Sequence, residues 1–401
     1  MAHAVVAAAA RTPIGRASKG SLTGLRADDM AVQVVEAVLR QVPGLPPRAI
    51  EDLYLGVAHQ TGEQAQNLGR RVAVLLGRDD LPATTVSRAC ASSLQTTAMA
   101  ANAVLAGAGA AFLSVGVESV SRYTKTAGPE DRNERFARAA PGVDTGSGPV
   151  AQWRDPRGSG ALPDVYMSMG QTAENVAALY GVSRDEQDRF ALGSQQRYAA
   201  AAARGFWQAD ITPLELPDGS LLDRDDSPRP ATTLEDLVAL KPVFRPQGTV
   251  TAGNACPLND GAAALLITSD EEAKWYGIRP LARIVASAVT GVSPELMGIG
   301  PVAACQRVLA RAGMRLPDID LIEINEAFAA QVIASCRLLG LDPEQVNRNG
   351  GAIALGHPFG MTGARMISSL VHALHDTDTT LGLAALCVGG GMGMAVVLER
   401  L

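Results

Sequence analysis

Ile50-Glu-Asp-Leu-Tyr-Leu-Gly56 and Ile319-Asp-Leu-Ile-Glu-Ile-Asn325 share one pattern, in which acidic residues interrupt a short apolar run. Such runs are typical of strands that enter a buried sheet. The same two elements precede each stretch. Before Ile50 come a strand-like run at Val5 and a helical segment over 28–41. Before Ile319 come a strand-like run at Ile284 and a helical segment over 301–312. The order strand, helix, strand occurs twice, which indicates an internal duplication.

The repetition extends to two turns that carry reactive side chains. Cys90 follows Leu53 by 37 residues, and His357 follows Leu321 by 36 residues. Cys90 and His357 are therefore predicted to occupy equivalent turns of the two halves, each just ahead of a helix.

The two halves differ in one hairpin. The run Leu386-Cys-Val-Gly leads through a glycine turn directly into an apolar strand at Met394. After the matching run Leu113-Ser-Val-Gly, the return strand at Ala262 arrives only after about 140 residues. A large insertion is therefore predicted in the hairpin of the first half.

The insertion divides into a loop and a helix. Residues 122–164 are rich in Arg, Gly, Pro and Asp, as in an exposed loop, and the cap pattern Ser-Arg-Asp-Glu opens a helix over 183–204. The length of 401 residues exceeds one ordinary core. We predict an α/β protein in three parts, which are an N-terminal half of residues 1–120 with 249–270, an inserted loop domain of residues 121–248, and a C-terminal half of residues 271–401.

Composition excludes several classes of function. Apolar residues make up 47% of the chain and aromatic residues 4%, so small aliphatic side chains are expected to fill the core. The net charge of −6 provides no basic surface for nucleic acid. The apolar N-terminal run lacks a basic segment ahead of it and predicts a buried first strand, not a signal peptide. No stretch approaches the ~18–20 apolar residues that span a membrane.

Cysteine usage indicates a reducing compartment. The chain has five cysteines, an odd number, and no CxxC pair. Neither a disulfide framework nor a zinc or other metal site is expected. We expect free thiols and a cytoplasmic protein.

Cys90 lies between a β-branched run and a helical pattern whose apolar residues recur from Leu94 to Leu105. This places its thiol at the N-terminus of a helix, where backbone N–H groups and the helix dipole stabilise a thiolate. The alternative is a small buried residue without a reactive role.

His357 lies in the glycine-rich segment NGGAIALGHPFGMTG. Dense glycine is typical of tight turns or of close approach between ligand and backbone. A turn histidine without a role is the alternative, but the position opposite the Cys90 turn favours an activated Cys–His pair.

Two further segments could serve the same chemistry. Cys387 ends a strand that runs into a glycine turn, whose N–H groups could face an oxyanion. Asn325 follows a strand at a position that is common in α/β sites. The alternatives are a core thiol for Cys387 and a helix N-cap for Asn325.

Together these segments resemble the thiolase family. The motifs are S-R-x-C-x-S-S-L-Q around Cys90, NEAFA at Asn325, GHPFGMTG at His357 and CVGGGMG at Cys387. They occur in order along essentially the whole chain. The resemblance implies the thiolase fold, in which two duplicated α/β halves form a layered αβαβα core with an inserted loop domain.

The resemblance also implies a role for each residue. Cys90 would be the nucleophile that becomes acylated, and His357 would accept its proton. Cys387 would move a proton at the α-carbon of the substrate. Asn325 would hold a water that, with His357, stabilises the enolate oxygen, and the N–H groups of Cys90 and Gly389 would form a second oxyanion hole.

By the same resemblance, coenzyme A is a substrate and no cofactor is bound permanently. The residues implied to line the CoA and pantetheine tunnel are Met169, Arg229, Phe244, Ala252, Ala255, Cys256, Leu258, Met297 and Phe328. Cys256 and Pro257 depart from the usual serine and glycine, and Ser168 replaces a histidine of short-chain biosynthetic members. These departures bear on chain-length preference.

The expected activity is reversible cleavage of a 3-oxoacyl-CoA by CoA. Alternatives are a biosynthetic acetyl-CoA acetyltransferase, a decarboxylating ketosynthase-like enzyme, and a non-catalytic acyl-CoA-binding protein. A ketosynthase needs no second catalytic cysteine, and a non-catalytic protein should have lost one of the four motif residues. The expected partners are CoA and acyl-CoA thioesters, with a homodimer or homotetramer as the assembly.

Overall fold

Ala- and Val-rich strands form the centre of this protein, whose computed structural model describes residues 2–123, 133–137 and 153–401. The strands Ala4–Arg11, Asn259–Ser269 and Leu381–Val388 are buried on both faces, which explains their nearly continuous apolar sequences. Their bounds are β1 Ala4–Arg11, β2 Gly15–Arg16, β3 Ile50–Gly56, β4 Ala83–Val86, β5 Ala111–Ser119, β6 Leu214–Glu215, β7 Leu221–Leu222, β8 Asn259–Ser269, β9 Ala282–Gly291, β10 Leu321–Ile324, β11 Leu381–Val388 and β12 Met392–Arg400.

Helices cover the sheet on both faces. Their bounds are α1 Ala27–Arg40, α2 Leu68–Leu75, α3 Ser92–Leu105, α4 Glu134–Ala137, α5 Met169–Leu179, α6 Arg184–Ala203, α7 Phe206–Asp210, α8 Leu234–Val238, α9 Asp270–Trp275, α10 Gly300–Ala312, α11 Ala329–Leu339, α12 Ala352–Leu355 and α13 Thr362–Asp376. In the part of the chain that the structure describes, no helix is both long enough and apolar enough to cross a membrane.

The strand order confirms the duplication. The first half has the order β1-β8-β5-β3-β4, and the second has the order β9-β12-β11-β10. The strand directions agree as well, because β3 runs parallel to β5 and β10 runs parallel to β11, whereas the other matched pairs are antiparallel. The two halves join into one sheet where Val5 and Val6 of β1 pair with β9.

The layers follow from how the helices pack. Helices α3 and α13 pack against each other between the two halves of the sheet, α1 covers the outer face of the first half, and α10 covers that of the second. The result is the predicted αβαβα core.

A close contact joins the two central helices. A Cβ atom at Gly363 of α13 would lie 2.2 Å from the backbone nitrogen of Leu94 in α3, so only glycine fits there. Ser93 crosses the same contact, because its hydroxyl donates to the Met361 carbonyl and accepts from the Ala364 N–H at 2.9 Å.

Two details of the predicted duplication are wrong. Both turns lead into the matched helices α3 and α13. Cys90 lies two residues ahead of α3, whereas His357 lies five residues ahead of α13, so the two residues do not occupy equivalent positions in their turns. In the sheet, Gly56 pairs with Gly116 and Ile324 pairs with Ala385. When residues 50–56 are aligned with residues 319–325, these pairings match Cys387 of the second half with Val117 of the first half. The predicted match was Ser114, so the prediction was wrong by three residues. Because buried strands are apolar throughout, the four-residue match of Leu113-Ser-Val-Gly with Leu386-Cys-Val-Gly could not distinguish one alignment of the two strands from another shifted by a few residues.

The insertion is described only in part. Helix α6 begins as predicted, because Ser183 caps it and the Glu186 side chain accepts from the Ser183 N–H at 2.8 Å. Most of the loop predicted over 122–164 lies outside the described residues. The division of the chain near 121, 249 and 271 remains a proposal.

A buried ion cluster fastens the insertion to the first strand. The Arg11 guanidinium, which is fully buried, bonds to Asp210 and, at 2.8 Å, to Asp225. The Tyr198 hydroxyl donates to the same Asp225 at 3.1 Å. Removing one member of such a cluster leaves buried charge without compensation.

We predict that Arg11→Met lowers the free energy of unfolding by about 3–5 kcal/mol, because two carboxylates lose their cation. Arg189→Met is the control, since Arg189 pairs with Asp185 on the surface of α6 and should change little. Urea unfolding followed by circular dichroism measures both. Equal unfolding midpoints for the two variants would show that the cluster does not stabilise the fold.

Candidate active site

Cys90 lies in a strained turn directly ahead of α3. The preceding residue, Ala89, has φ +43°, in the left-handed region that alanine seldom adopts. Burial raises the pKa of the Cys90 thiol to about 11, and the backbone amide of Gly389 opposes this by donating to the sulfur. Burial of the sulfur thus favours the thiol, in opposition to the helix N-terminus, which favours a thiolate.

His357 is buried, and hydrogen bonds hold both its backbone and its imidazole ring. Its backbone N–H donates to Asn259 of β8 at 3.0 Å, and its Nδ1 lies 2.7 Å from the Thr362 hydroxyl. Thr362 donates its single hydroxyl proton to the Pro358 carbonyl. It must therefore accept from Nδ1–H, which leaves the lone pair on Nε2 of His357.

The same burial keeps the imidazole neutral. Burial first, and then the nearby charge of Arg365, lower the pKa of His357 to about 3. Its Nε2 lies 3.3 Å from the amide Nδ2 of Asn325, which can donate to it. His357 is thus unprotonated at neutral pH, and its Nε2 lone pair faces the Asn325 amide.

Asn325 is fixed at the end of β10. Its backbone N–H donates to the Ala385 carbonyl at 2.9 Å, and its side-chain oxygen accepts from Arg365 at 3.5 Å. Helix α11 begins only at Ala329, after Phe328 as the cap residue, so Asn325 is not a helix N-cap.

Cys387 is wholly buried at the end of β11. Burial first, and then the nearby thiols of Cys90 and Cys256, raise the pKa of Cys387 well above its ordinary value. The glycine turn after it approaches the Cys90 turn, because a Cβ atom on Gly389 would lie 3.5 Å from the Ala89 side chain. The turns of the two halves therefore meet at the two thiols.

The residues expected to contact CoA lie in two connected places. A cavity of about 290 Å³ is lined by three of them, Arg229, Ala252 and Ala255. An apolar cluster around Cys387 contains Ala255 again, together with Met169, Phe244, Cys256, Met297 and Phe328. Leu258 is mostly exposed and lines neither.

The segment between these two places is tied to the Asn325 motif. The Cys256 N–H donates to the Ala327 carbonyl at 3.1 Å, and Ala255 forms a β-bridge with Phe328. The cavity thus leads from the surface towards the two thiols along the strand end that carries Asn325.

Three residues of the site were not found from the sequence. Thr362 follows His357 by five residues within the glycine-rich motif, so its place in that motif was the available signal. Arg365 is one turn farther along α13. Arg16 lines the cavity from β2, which reaches it by pairing with β8, and no local pattern marks it.

The arrangement suits covalent catalysis. It combines a thiol beside a backbone amide, a second thiol close to the first, and a neutral imidazole next to an amide side chain. Such groups can form a thioester, move protons and stabilise an oxyanion without a metal ligand.

Comparison with known proteins agrees with this chemistry. The model of the thiolase N-terminal domain matches residues 4–271, and that of the thiolase C-terminal domain matches residues 278–400. The chain is 43% identical to a beta-ketoadipyl-CoA thiolase of Acinetobacter baylyi and 41% identical to a 3-ketoacyl-CoA thiolase of Bacillus subtilis, with 100% of each chain covered. The crystal structure of human mitochondrial 3-ketoacyl-CoA thiolase in complex with CoA superposes with a TM-score of 0.86 at 36% identity, over 100% of this chain and 99% of that chain. The chain belongs to the thiolase family.

Proposed function

We propose that this thiolase cleaves 3-oxoacyl-CoA with CoA, giving acetyl-CoA and a shortened acyl-CoA, and that Cys90 carries the acyl group between the two steps. The proposal is supported by two observations: the Gly389 amide donates to the Cys90 sulfur near Cys387, and the Asn325 that lies beside His357 follows the strand paired with that of Cys387. The beta-ketoadipyl-CoA and 3-ketoacyl-CoA relatives support a 3-oxoacyl substrate.

In the first step the Cys90 sulfur attacks the 3-oxo carbon. Because Cys90 rests as a thiol and His357 as a neutral imidazole, the proton moves to Nε2 as the sulfur–carbon bond forms. The amides of Cys90 and Gly389 donate to the oxygen that becomes negative.

Breaking the bond between carbons 2 and 3 leaves the acyl group on Cys90 and an enolate of acetyl-CoA. A water held by Asn325 and His357 would stabilise the enolate oxygen. The Cys387 thiol donates its proton to carbon 2, and acetyl-CoA leaves. Its high pKa suits a group that must be protonated at this stage.

The second step restores the enzyme. The Cys387 thiolate accepts the proton of an incoming CoA thiol, and the CoA sulfur attacks the Cys90 thioester. The shortened acyl-CoA forms as the sulfur–carbon bond to Cys90 breaks, and His357 returns the proton to Cys90. Each residue is back in its starting state, as catalysis requires.

The cavity would hold the CoA. Arg16 and Arg229 on its wall offer positive charge for the phosphate groups, and the apolar cluster around Cys387 suits the pantetheine arm. Cys256 would stand beside that arm, where the family usually has serine.

The same residues can run in reverse as an acetyl-CoA acetyltransferase, because every step is reversible. Relatives named for 3-oxoacyl substrates favour cleavage. We further propose a homodimer or homotetramer in the cytoplasm. Thiolysis rates over a series of 3-oxoacyl-CoA chain lengths, with 3-oxoadipyl-CoA included, would define the substrate and test the proposed direction.

We predict that Cys90→Ser abolishes acyl transfer and leaves the fold intact, because a hydroxyl is far less acidic than a thiol. Mass spectrometry after brief mixing with acetoacetyl-CoA should find an acetyl adduct on Cys90 in the parent and none in the variant. Cys305→Ser is the control, since that thiol is buried on α10 in an apolar cluster that contains none of the site residues. An adduct mapped to Cys256 would overturn the assignment.

We predict that Cys387→Ala still forms some acyl-Cys90 from a simple thioester but loses carbon–carbon cleavage by ~10²-fold or more, the scale of one general acid. The decisive measurement is deuterium incorporation at the α-carbon of acetyl-CoA in heavy water. Exchange at the parent rate in the variant would show that Cys387 does not move this proton.

We predict that Thr362→Val lowers kcat/KM by about 10²-fold, because Nδ1–H loses its acceptor and the lone pair is no longer held on Nε2. Thr362→Ser keeps the hydroxyl and should stay near the parent. Steady-state thiolysis measures both. If valine and serine variants are equally active, the hydroxyl does not set the tautomer.

A further inference from the structure

A buried group of charges lies behind the His357–Asn325 pair, and the mechanism above does not use it. Arg365 of α13 and Glu323 of β10 are both buried. Glu323 precedes Asn325 by two residues, so the two side chains share one face of the strand end. Helix α13 packs against β10 and brings Arg365 to that face.

Arg365 contacts the catalytic amide itself. Its Nη2 donates to the Asn325 side-chain oxygen at 3.5 Å, and its Nε has no hydrogen-bond partner among the described residues. The charges that act on it come from several elements and are Glu323 of β10, Glu326 just after β10, Asp210 of α7 and Arg11 of β1.

The contact decides which end of the Asn325 amide faces His357. A guanidinium can only donate, so it selects the amide oxygen and turns the Nδ2 group towards Nε2. In the opposite orientation the amide oxygen would face the Nε2 lone pair, and two acceptors would repel each other. An amide is nearly symmetric in shape, so packing alone does not choose between these orientations.

We propose that Arg365 is a positioning residue of this thiolase: its guanidinium orients the Asn325 amide so that the amide N–H group, and not the amide oxygen, faces Nε2 of His357. This inference rests on the roles proposed above for His357 and Asn325. In this orientation the amide donates to Nε2 at rest and releases that lone pair when His357 accepts the Cys90 proton. The positive charge of Arg365 also lowers the pKa of His357, which is a second effect on the same base.

Two substitutions separate the effects. Arg365→Lys keeps the charge but loses the planar donor group, and Arg365→Gln loses the charge. We expect both to lower kcat for thiolysis by about 10–10²-fold, the scale of a misplaced acid/base group. Only Arg365→Gln should move the pH profile, because removing the cation raises the pKa of His357. The acid limb of the profile should then move to higher pH, but only part of the way to the ordinary pKa of histidine, because burial is the larger cause and remains.

Arg365→Gln leaves Glu323 buried without its cation and could prevent folding, so the double variant Arg365→Gln with Glu323→Gln is made as well. Glu323→Gln alone keeps Arg365 and is the matched control, which should retain the parent pH profile. Circular dichroism and the thermal midpoint establish folding for each variant.

The outcomes are distinct. A folded Arg365→Gln or double variant with the parent kcat and pH profile would overturn the inference. A lower rate with an unchanged profile in all variants would refute the electrostatic part. The Cys90 adduct of the parent is measured alongside, and its absence would instead overturn the proposed function on which the inference rests.

Discussion

The backbones of α3 and α13 touch at Gly363, and the geometry of the site depends on this contact. Helix α3 starts just after Cys90, and α13 starts just after the loop that carries His357. A side chain at Gly363 would meet the Leu94 backbone and push the helices apart. The thiol of one half and the imidazole of the other would then separate, although neither residue had changed. The small residues of this chain thus serve the site as well as the core.

Burial sets the resting state of the site. It raises the pKa of Cys90 and Cys387 and lowers that of His357, so all three groups are neutral before substrate binds. In the proposed mechanism charge appears only during the reaction, on oxygen atoms that the Gly389 amide and the water held by Asn325 would stabilise. An enclosure of this kind stabilises the transition state more than the free enzyme, which is the condition for catalysis.

The sequence predicted most of the fold. The strand order confirms the duplication. Cys90, His357 and Cys387 could be singled out as candidates because reactive side chains stand out against an alanine-rich background, and the structure places the two thiols near each other. The register of the repeat was wrong by three residues, since buried strands repeat one apolar pattern. Arg365 and Arg16 were missed because residues distant in the sequence bring them to the site: Arg365 contacts Asn325, and Arg16 reaches the cavity through the pairing of β2 with β8. The catalytic roles themselves remain predictions.

The two halves share a fold, yet their central turns have different tasks. Cys90 stands two residues ahead of its helix and His357 five residues ahead of the matching helix, and a valine at 117 stands where the other half has Cys387. Two identical copies of one half, assembled as a symmetric pair, would place the same side chain in both turns. Joining the copies in one chain allowed each turn to change alone. In the proposed mechanism the division of labour between thiol and imidazole is therefore a product of covalent linkage, which a dimer of either half could not provide.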